Sequence, residues 1–279
     1  MERTPLASPL IHPPRAGPPL LLSIPHSGRD YPDWLVANAT GGQRALESLE
    51  DPLVDRLAWR LISRGIGAVI ARAPRAAIDC NRATDEVDPA VIAGIGCDAV
   101  GHRARGGLGI VPGRTAPHGR LWRRAIDQEE LALRICEAHA SYHDAIEREL
   151  EQLRTRHGWA LLLDCHSMPR RRGQAEVVLG DRHGATAAPW LAGEGARIVR
   201  HAGWSAATNN PYAGGHVIER HGRPDRNVHA LQVEIDRSCY LARDLRSPGP
   251  GFDRAARMLD GLAMQLAQAL TLPDAMAAE

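Results

Sequence analysis

The chain has 279 residues, 44% of them hydrophobic and 24% charged, with 34 basic side chains against 33 acidic ones and a formal net charge of +1. A chain of this length buries about three quarters of the surface its unfolded form exposes, so a core forms without disulfides or structural metal and a disulfide-stapled mini-protein is excluded. Charge this near zero supplies no long-range field to attract nucleic acid or an anionic membrane, which argues against both as partners, although Arg170-Arg171-Arg172 can still make local anion contacts. Every basic residue is Arg, as expected from coding bias, and without Lys the chain has no Schiff-base, ammonium or P-loop lysine chemistry.

The five cysteines, Cys80, Cys97, Cys136, Cys165 and Cys239, contain no CxxC pair and no regular spacing, so neither a disulfide framework nor a zinc ribbon is indicated. Reduced thiols in a cytoplasm fit best. The opening MERTPLASPLIHPPRAGPP lacks the basic start and apolar run of a signal peptide, and no later stretch approaches the ~20 apolar residues of a membrane span. A cytoplasmic protein is the expectation.

Residues 1–18 hold Pro5, Pro9, Pro13, Pro14 and Pro18 and are expected to lie extended over the surface, outside any sheet. Residues 20–25 (LLLSIP) predict a short buried strand, and residues 45–64 carry Leu46, Leu49, Leu53, Val54, Leu57, Leu61 and Ile62 near helical spacing, closed by Gly65. Short strands are predicted at 67–71 (GAVIA) and 77–80. Residues 84–120 then form a long loop rich in Gly, Pro, Asp and Arg, a length more often functional than idle. Residues 126–157 predict a long amphipathic helix, 159–165 (WALLLDC) the most buried strand, 175–179 and 229–235 further strands, and 189–202 and 252–270 further helices. This alternation predicts one layered α/β domain around a mostly parallel sheet over residues 19–272, with 273–279 as a tail.

Ligand sites of open α/β sheets lie beyond the carboxyl ends of the strands. There the first strand meets Pro25-His26-Ser27-Gly28, the 159–165 strand meets Asp164-Cys165-His166-Ser167, and the 229–235 strand carries Gln232 and Glu234. Two histidines with a carboxylate make the donor set of a catalytic zinc; two histidines capping strand ends serve the same spacing equally well. The carboxylate candidates are Asp30, Glu50, Asp51 and Asp55, among which spacing does not choose, and Asp164 is placed to hold a histidine from behind. Ser27 and Ser167 each follow a His directly and neither lies in a Gly-x-Ser-x-Gly elbow, which disfavours a serine nucleophile. Arg75 and the Asp79-Cys80-Asn81-Arg82 segment suit a carboxylate-bearing substrate, the plainer reading being surface pairs with Asp79 or Asp85. Asn210-Pro211-Tyr212-Ala213-Gly214-Gly215-His216 is a turn that lets backbone approach a ligand, or a plain hairpin turn.

Taken in order, Ser23-Ile24-Pro25-His26-Ser27-Gly28, Glu50-Asp51 with Val54-Asp55, Pro74-Arg75 through Arg82, Asp164 to Ser167, Asn210 to Gly215 and Leu231-Gln232-Val233-Glu234-Ile235 resemble the N-formylglutamate amidohydrolase (deformylase) family over roughly residues 20–245. The resemblance extends to zinc carboxypeptidases and aspartoacylases. It implies a single three-layer α/β domain of the zinc-exopeptidase-like, phosphorylase/hydrolase-like class, with a central mixed, mostly parallel sheet and one zinc per chain at the strand ends. Carried over by residue, it implies His26, Asp51 and His166 as metal ligands, Glu234 as the carboxylate that activates water, Asn81 and Arg82 as the grip on a substrate carboxylate, and Arg75 as the cation for the developing oxyanion. The relatives take two ligands from His-x-x-Glu, whereas Arg29 stands third after His26, so Asp30 and Glu50 remain alternatives to Asp51. Arg105 and Arg114 offer a second anchor for a dicarboxylate, with Tyr212, Gly214 and Gly215 beside the substrate. The implied reaction is hydrolysis of N-formyl-L-glutamate to formate and L-glutamate, in histidine breakdown. The competing readings are hydrolysis of another N-acyl amino acid or small peptide, and a non-catalytic binder of small carboxylates.

Overall fold

The structure, a computed structural model, describes residues 3–96 and 102–271. By its own contacts the chain divides into two compact units, the first made of Met1–Leu10, Pro25–Glu50 and Ile70–Ala145 and the second of Ile11–Ile24, Asp51–Val69 and Ile146–Glu279. In chain order the elements are β1 (Leu10–His12), β2 (Leu20–Ile24), α1 (Asp33–Asn38), α2 (Gly42–Glu47), α3 (Val54–Leu57), α4 (Trp59–Ser63), β3 (Gly67–Ile70), α5 (His102–Arg105), β4 (Arg114–Thr115) and β5 (Gly119–Arg120). There follow α6 (Gln128–Arg134), a π-helical segment (Ile135–Ala140), α7 (Ser141–His157), β6 (Ala160–Met168), β7 (Val177–Gly180), α8 (Leu191–His201), β8 (Ala206–Thr208), α9 (His216–His221), β9 (Val228–Asp236) and α10 (Phe252–Ala269).

Seven strands form one sheet in the order β1-β3-β2-β6-β9-β7-β8. The long strand β6 is parallel to both β2 and β9, β7 is parallel to β8, and β7 runs antiparallel to β9. The expected α/β class with a mixed, mostly parallel sheet is therefore the one observed. Both β6 and β9 are buried at all nine positions instead of alternately, the signature of strands covered on both faces. Within the second unit α8 packs on β7, β8 and α10, α10 also packs on α3 and α4, and α9 packs on β6 and β9. The helix α10 inserts Ala255, Leu259, Leu262 and Leu266 at helical spacing into that cover. Truncating one such Leu to Ala removes about 2–5 kcal/mol of stability. No described helix is long and apolar enough to cross a membrane.

Several expectations need correction. The Pro-rich start does join the sheet: Leu10–His12 form the edge strand β1, which is tolerated because Pro9 and Pro13 flank the strand and do not interrupt it. The helix expected over 45–64 is broken into α2, α3 and α4, with Leu53 at φ 61° after Pro52. That break turns Glu50 and Asp51 inward, each only 2% exposed. Residues 77–80 form no strand; they run through a turn in which the Asp79 amide donates to the Ile110 carbonyl at 2.7 Å. The long loop 84–120 carries the short helix α5 and the β4–β5 hairpin. The helix expected at 126–157 is built as α6, the π segment and α7. The strand expected at 159–165 continues to Met168, so His166 and Ser167 lie in the strand and not beyond it. The expected tail at 273–279 and Cys97 lie outside the described residues.

Candidate active site

In the second unit the sheet itself arranges the polar groups. Paired strands place partner residues on the same face, and every second residue of a strand returns to it. Ser23, Asp164 and Gln232 form one row across β2, β6 and β9, and His166 opposite Glu234 forms the next. Their types fit that placement: Ser23 Oγ donates to Asp164 Oδ1 at 2.7 Å, and Gln232 Nε2 donates to Glu234 Oε1 at 2.9 Å. Gln232 is oriented in turn by the Gly215 amide, which donates to its Oε1 at 2.8 Å. This approach depends on Gly180 in β7, because a Cβ there would sit 2.6 Å from the Ala213 carbonyl carbon.

His166 lies between two carboxylates, Nδ1 at 2.9 Å from Asp51 Oδ2 and Nε2 at 2.9 Å from Asp164 Oδ2. A neutral imidazole carries one N–H, so this geometry calls for a cation. Burial disfavours a charged ring, but Asp164 and the bonds to Asp164 and Asp51 outweigh it and hold the His166 pKa well above the ordinary value. A divalent ion at Nδ1, with Asp51 as co-ligand, meets the same electrostatic demand, and Asp164 then occupies the supporting position that metal-bound histidines usually have. The other Asp51 oxygen accepts from Arg237 Nη2 at 2.9 Å, while Arg237 Nε donates to Ser167 Oγ at 3.1 Å. Tyr240 OH donates to the Pro52 carbonyl at 2.7 Å and pins the segment that presents Asp51.

In the first unit the organising group is Asp79, which is fully buried. Its Oδ1 lies 2.7 Å from His26 Nε2 and accepts from the Asn81 amide at 2.8 Å, and its Oδ2 accepts from Arg75 Nε at 2.9 Å. Burial raises the Asp79 pKa, but Arg75, His26 and Arg82 together hold it well below the usual carboxylate range. An ionised Asp79 only accepts, so His26 donates to it through Nε2. Gly28 lets the chain after β2 close against the 72–73 backbone: a Cβ would lie 2.0 Å from the Ala73 carbonyl oxygen. Asn81 is 4% exposed, and Arg82 donates from Nε to the Leu108 carbonyl and from Nη1 to the Asn81 carbonyl, each at 2.9 Å. The plain expectation of surface pairs fails here, because Arg75 and Arg82 flank a buried aspartate.

Among the described residues, donors suited to a metal ion lie together as Asp51 with His166 in the second unit and as His139 with His143 in the first. Asp30 is exposed and paired with Arg72 at 2.7 Å, Glu50 accepts from Tyr31 OH, and Asp55 lies on α3 beside Arg56. Tyr212 is half-buried in the second unit, its phenol pushed up by burial and then by the charge of Glu234. Gly214, at φ 121°, packs so closely on Ile218 that a Cβ would meet its Cδ1 at 2.2 Å. Arg105 is exposed on α5 and lines a groove with Asp88, Arg114, Arg120 and Trp122. Ser167 accepts from Arg237. The sequence reading missed Arg237 and the role of Asp79. The signal for Arg237 was its place directly after the strand that carries Gln232 and Glu234.

Set against known proteins, residues 18–241 match the family model described as N-formylglutamate amidohydrolase. An N-formylglutamate deformylase of Pseudomonas putida is 28% identical over 237 residues, covering 80% of this chain and 82% of that one. Its counterpart in Pseudomonas aeruginosa is 28% identical over 232 residues with the same coverage of 80% and 82%. The crystal structure of N-formylglutamate amidohydrolase from Ralstonia eutropha superposes with a TM-score of 0.85 at 31% identity, covering 94% of this chain and 98% of that one. A gene product of Agrobacterium tumefaciens shares the fold at a TM-score of 0.70 and 16% identity, covering 95% of each chain.

Proposed function

The chain belongs to the N-formylglutamate amidohydrolase family, matched over residues 18–241, and from that premise we propose that it hydrolyses N-formyl-L-glutamate to formate and L-glutamate with one divalent metal, zinc, held by His26, Asp51 and His166. The observation that carries the metal assignment is the doubled second support. His26 and His166 each have one ring nitrogen on a buried aspartate, Asp79 and Asp164, and Asp51 faces the other nitrogen of His166. All three proposed ligands are buried at 2–3% exposure.

A bound divalent cation supplies a positive charge for the amide carbonyl and lowers the pKa of water toward ~7. Glu234, fixed by Gln232, takes the proton of the attacking water and hands it to the leaving amine, acting first as base and then as acid. Arg75, hinged on Asp79, faces the charge that develops on the carbonyl oxygen. Asn81 and Arg82 hold a carboxylate of the substrate, with Arg82 kept in place by the Leu108 and Asn81 carbonyls. Tyr212, Gly214 and Gly215 border the substrate beside Glu234, and Arg105 provides an outer anchor for a second carboxylate. The expected setting is the cytoplasm.

The test is formate release from N-formyl-L-glutamate by purified protein as isolated, after chelation, and after zinc is restored. Release that stops with chelator and returns with zinc supports both reaction and metal. No release in any condition from folded protein rules out this substrate.

A further inference from the structure

The segment that carries Asp79, Asn81 and Arg82 is neither helix nor strand; its backbone is tied by turn bonds such as Arg82 N–H to the Asp79 carbonyl at 3.1 Å and by the Asp79 amide on Ile110, not by a ladder. Three of its carbonyls are instead bound by side chains of the single helical stretch made of α6, the π segment and α7. Arg134 Nη1 donates to the Ala77 carbonyl at 2.9 Å, His143 Nε2 to the Cys80 carbonyl at 3.0 Å, and His139 Nε2 to the Arg82 carbonyl at 2.8 Å. Because a carbonyl only accepts, both histidines carry their proton on Nε2. All three side chains are at most 1% exposed, a costly place for polar groups without such partners.

The helix needs its π segment to do this. His139 and His143 are four residues apart and share a face of any helix, but Arg134 and His139 are five apart. In an unbroken α-helix that spacing turns them about 140° away from each other. A π turn bonds residues five apart and returns them to one face, and the π segment spans residues 135–140. Arg134 is further fixed by Glu130 and by the faces of Trp34 and Trp122, 5.0 and 5.7 Å from its guanidinium carbon.

We propose that Arg134, His139 and His143 are positioning residues, a side-chain clamp from one π-interrupted helix that sets the place of Asn81 and Arg82 and so governs how tightly the substrate carboxylate is held. The role of Asn81 and Arg82 rests on the amidohydrolase reading; the clamp on the 77–82 backbone does not.

The experiment pairs His139→Leu, which fills the space without a donor, with His139→Gln, whose amide nitrogen stands where Nε2 does. In metal-saturated enzyme H139L is expected to raise KM for N-formyl-L-glutamate about tenfold or more with kcat within about threefold, and H139Q to restore KM to within about threefold of the parent. Amide hydrogen exchange of the 77–84 peptide, read without substrate, is expected to quicken about tenfold in H139L and to return toward the parent rate in H139Q. Parent-like exchange in H139L, or equal exchange and KM in the Leu and Gln variants, overturns the clamp. Should H139L lose its near-ultraviolet circular dichroism, H139N, which is too short to reach the Arg82 carbonyl, takes its place with the same expectations. Because exchange needs no turnover, failure of the clamp and failure of the substrate assignment are read separately.

Discussion

The strand-borne cluster of Asp164, His166, Gln232 and Glu234 and the loop-borne cluster of His26, Asp79, Asn81 and Arg82 apply the same chemical device, a buried histidine with a carboxylate behind it. They achieve order by different means. On β6 and β9 the parallel register places Asp164 beside Gln232 and His166 beside Glu234, so the backbone ladder that holds the sheet also sets the polar geometry. Around Asp79 no ladder exists, and a few backbone bonds such as Asp79 to Ile110 are joined by side chains that bind backbone: Asp79 on the Asn81 amide, Arg82 on Leu108, and Arg134, His143 and His139 on the 77, 80 and 82 carbonyls. A sheet-borne group is therefore protected by many redundant bonds. A loop-borne one depends on a few donors, each of which a point mutation can remove.

The largest expected effect is at the strand-borne carboxylate. Glu234→Gln keeps the shape of the side chain but cannot take a proton, so kcat should fall by about a hundredfold to ten-thousandfold while metal content stays stoichiometric. Steady-state kinetics with metal analysis on one preparation checks both halves, and a fully active variant removes Glu234 from proton transfer. Arg75→Ala and Arg82→Ala come next and separate two roles of the loop-borne cluster. The first should lower kcat about a hundredfold, the second should chiefly raise KM, and an equal loss of both parameters in the two variants would contradict that division.

Asp164→Asn and Asp79→Asn compare the clusters directly. If each aspartate supports a metal-bound histidine, each variant should weaken metal affinity about tenfold to a hundredfold, measured by competition with a chelating dye. D79N should also lower the melting temperature more than D164N, because it leaves the part-buried Arg75 without its carboxylate, whereas the amide oxygen introduced by D164N can still accept from Ser23.

The smallest effect concerns acid. His221, on the α9 that packs against β6 and β9, is pushed down to about 3 by burial and then by Arg220, His216 and Arg223. A histidine whose folded pKa lies below its unfolded value stabilises the fold fully above that unfolded value of about 6.5. It loses this contribution as pH falls toward 3, by at most about 1.4 kcal/mol per pH unit. Thermal melts across that window should slope less steeply in His221→Leu; identical slopes would mean that other groups carry the acid sensitivity.

Much of this was legible in the sequence. Apolar runs announced β2, β3, β6 and β9, and the residues at their ends included His26, His166 and Glu234, because a strand buried on both faces must be apolar except where a polar group has a partner. In the sequence β6 reads as ending at Cys165 because His166-Ser167-Met168 looks like a loop, whereas Asp51, Asp164 and Arg237 satisfy its polar groups inside the sheet. Residues 77–80 read as a strand by their apolar character, which instead serves packing in a core with Leu46, Ile110, Trp122 and Leu131. Asp79 looked like the partner of a surface arginine because spacing says nothing of burial.

By itself the sequence determined the α/β class, the family, and the residue types that stand ready for metal and carboxylate chemistry, since these depend on periodicity and on ordered local motifs. Only the tertiary structure decided which carboxylate faces His166, that Arg237 holds it, and that His139 and His143 serve the 77–82 backbone. Those choices join residues from 57 to 186 positions apart, a separation at which local pattern carries no information and only packing and hydrogen-bond satisfaction choose the partner.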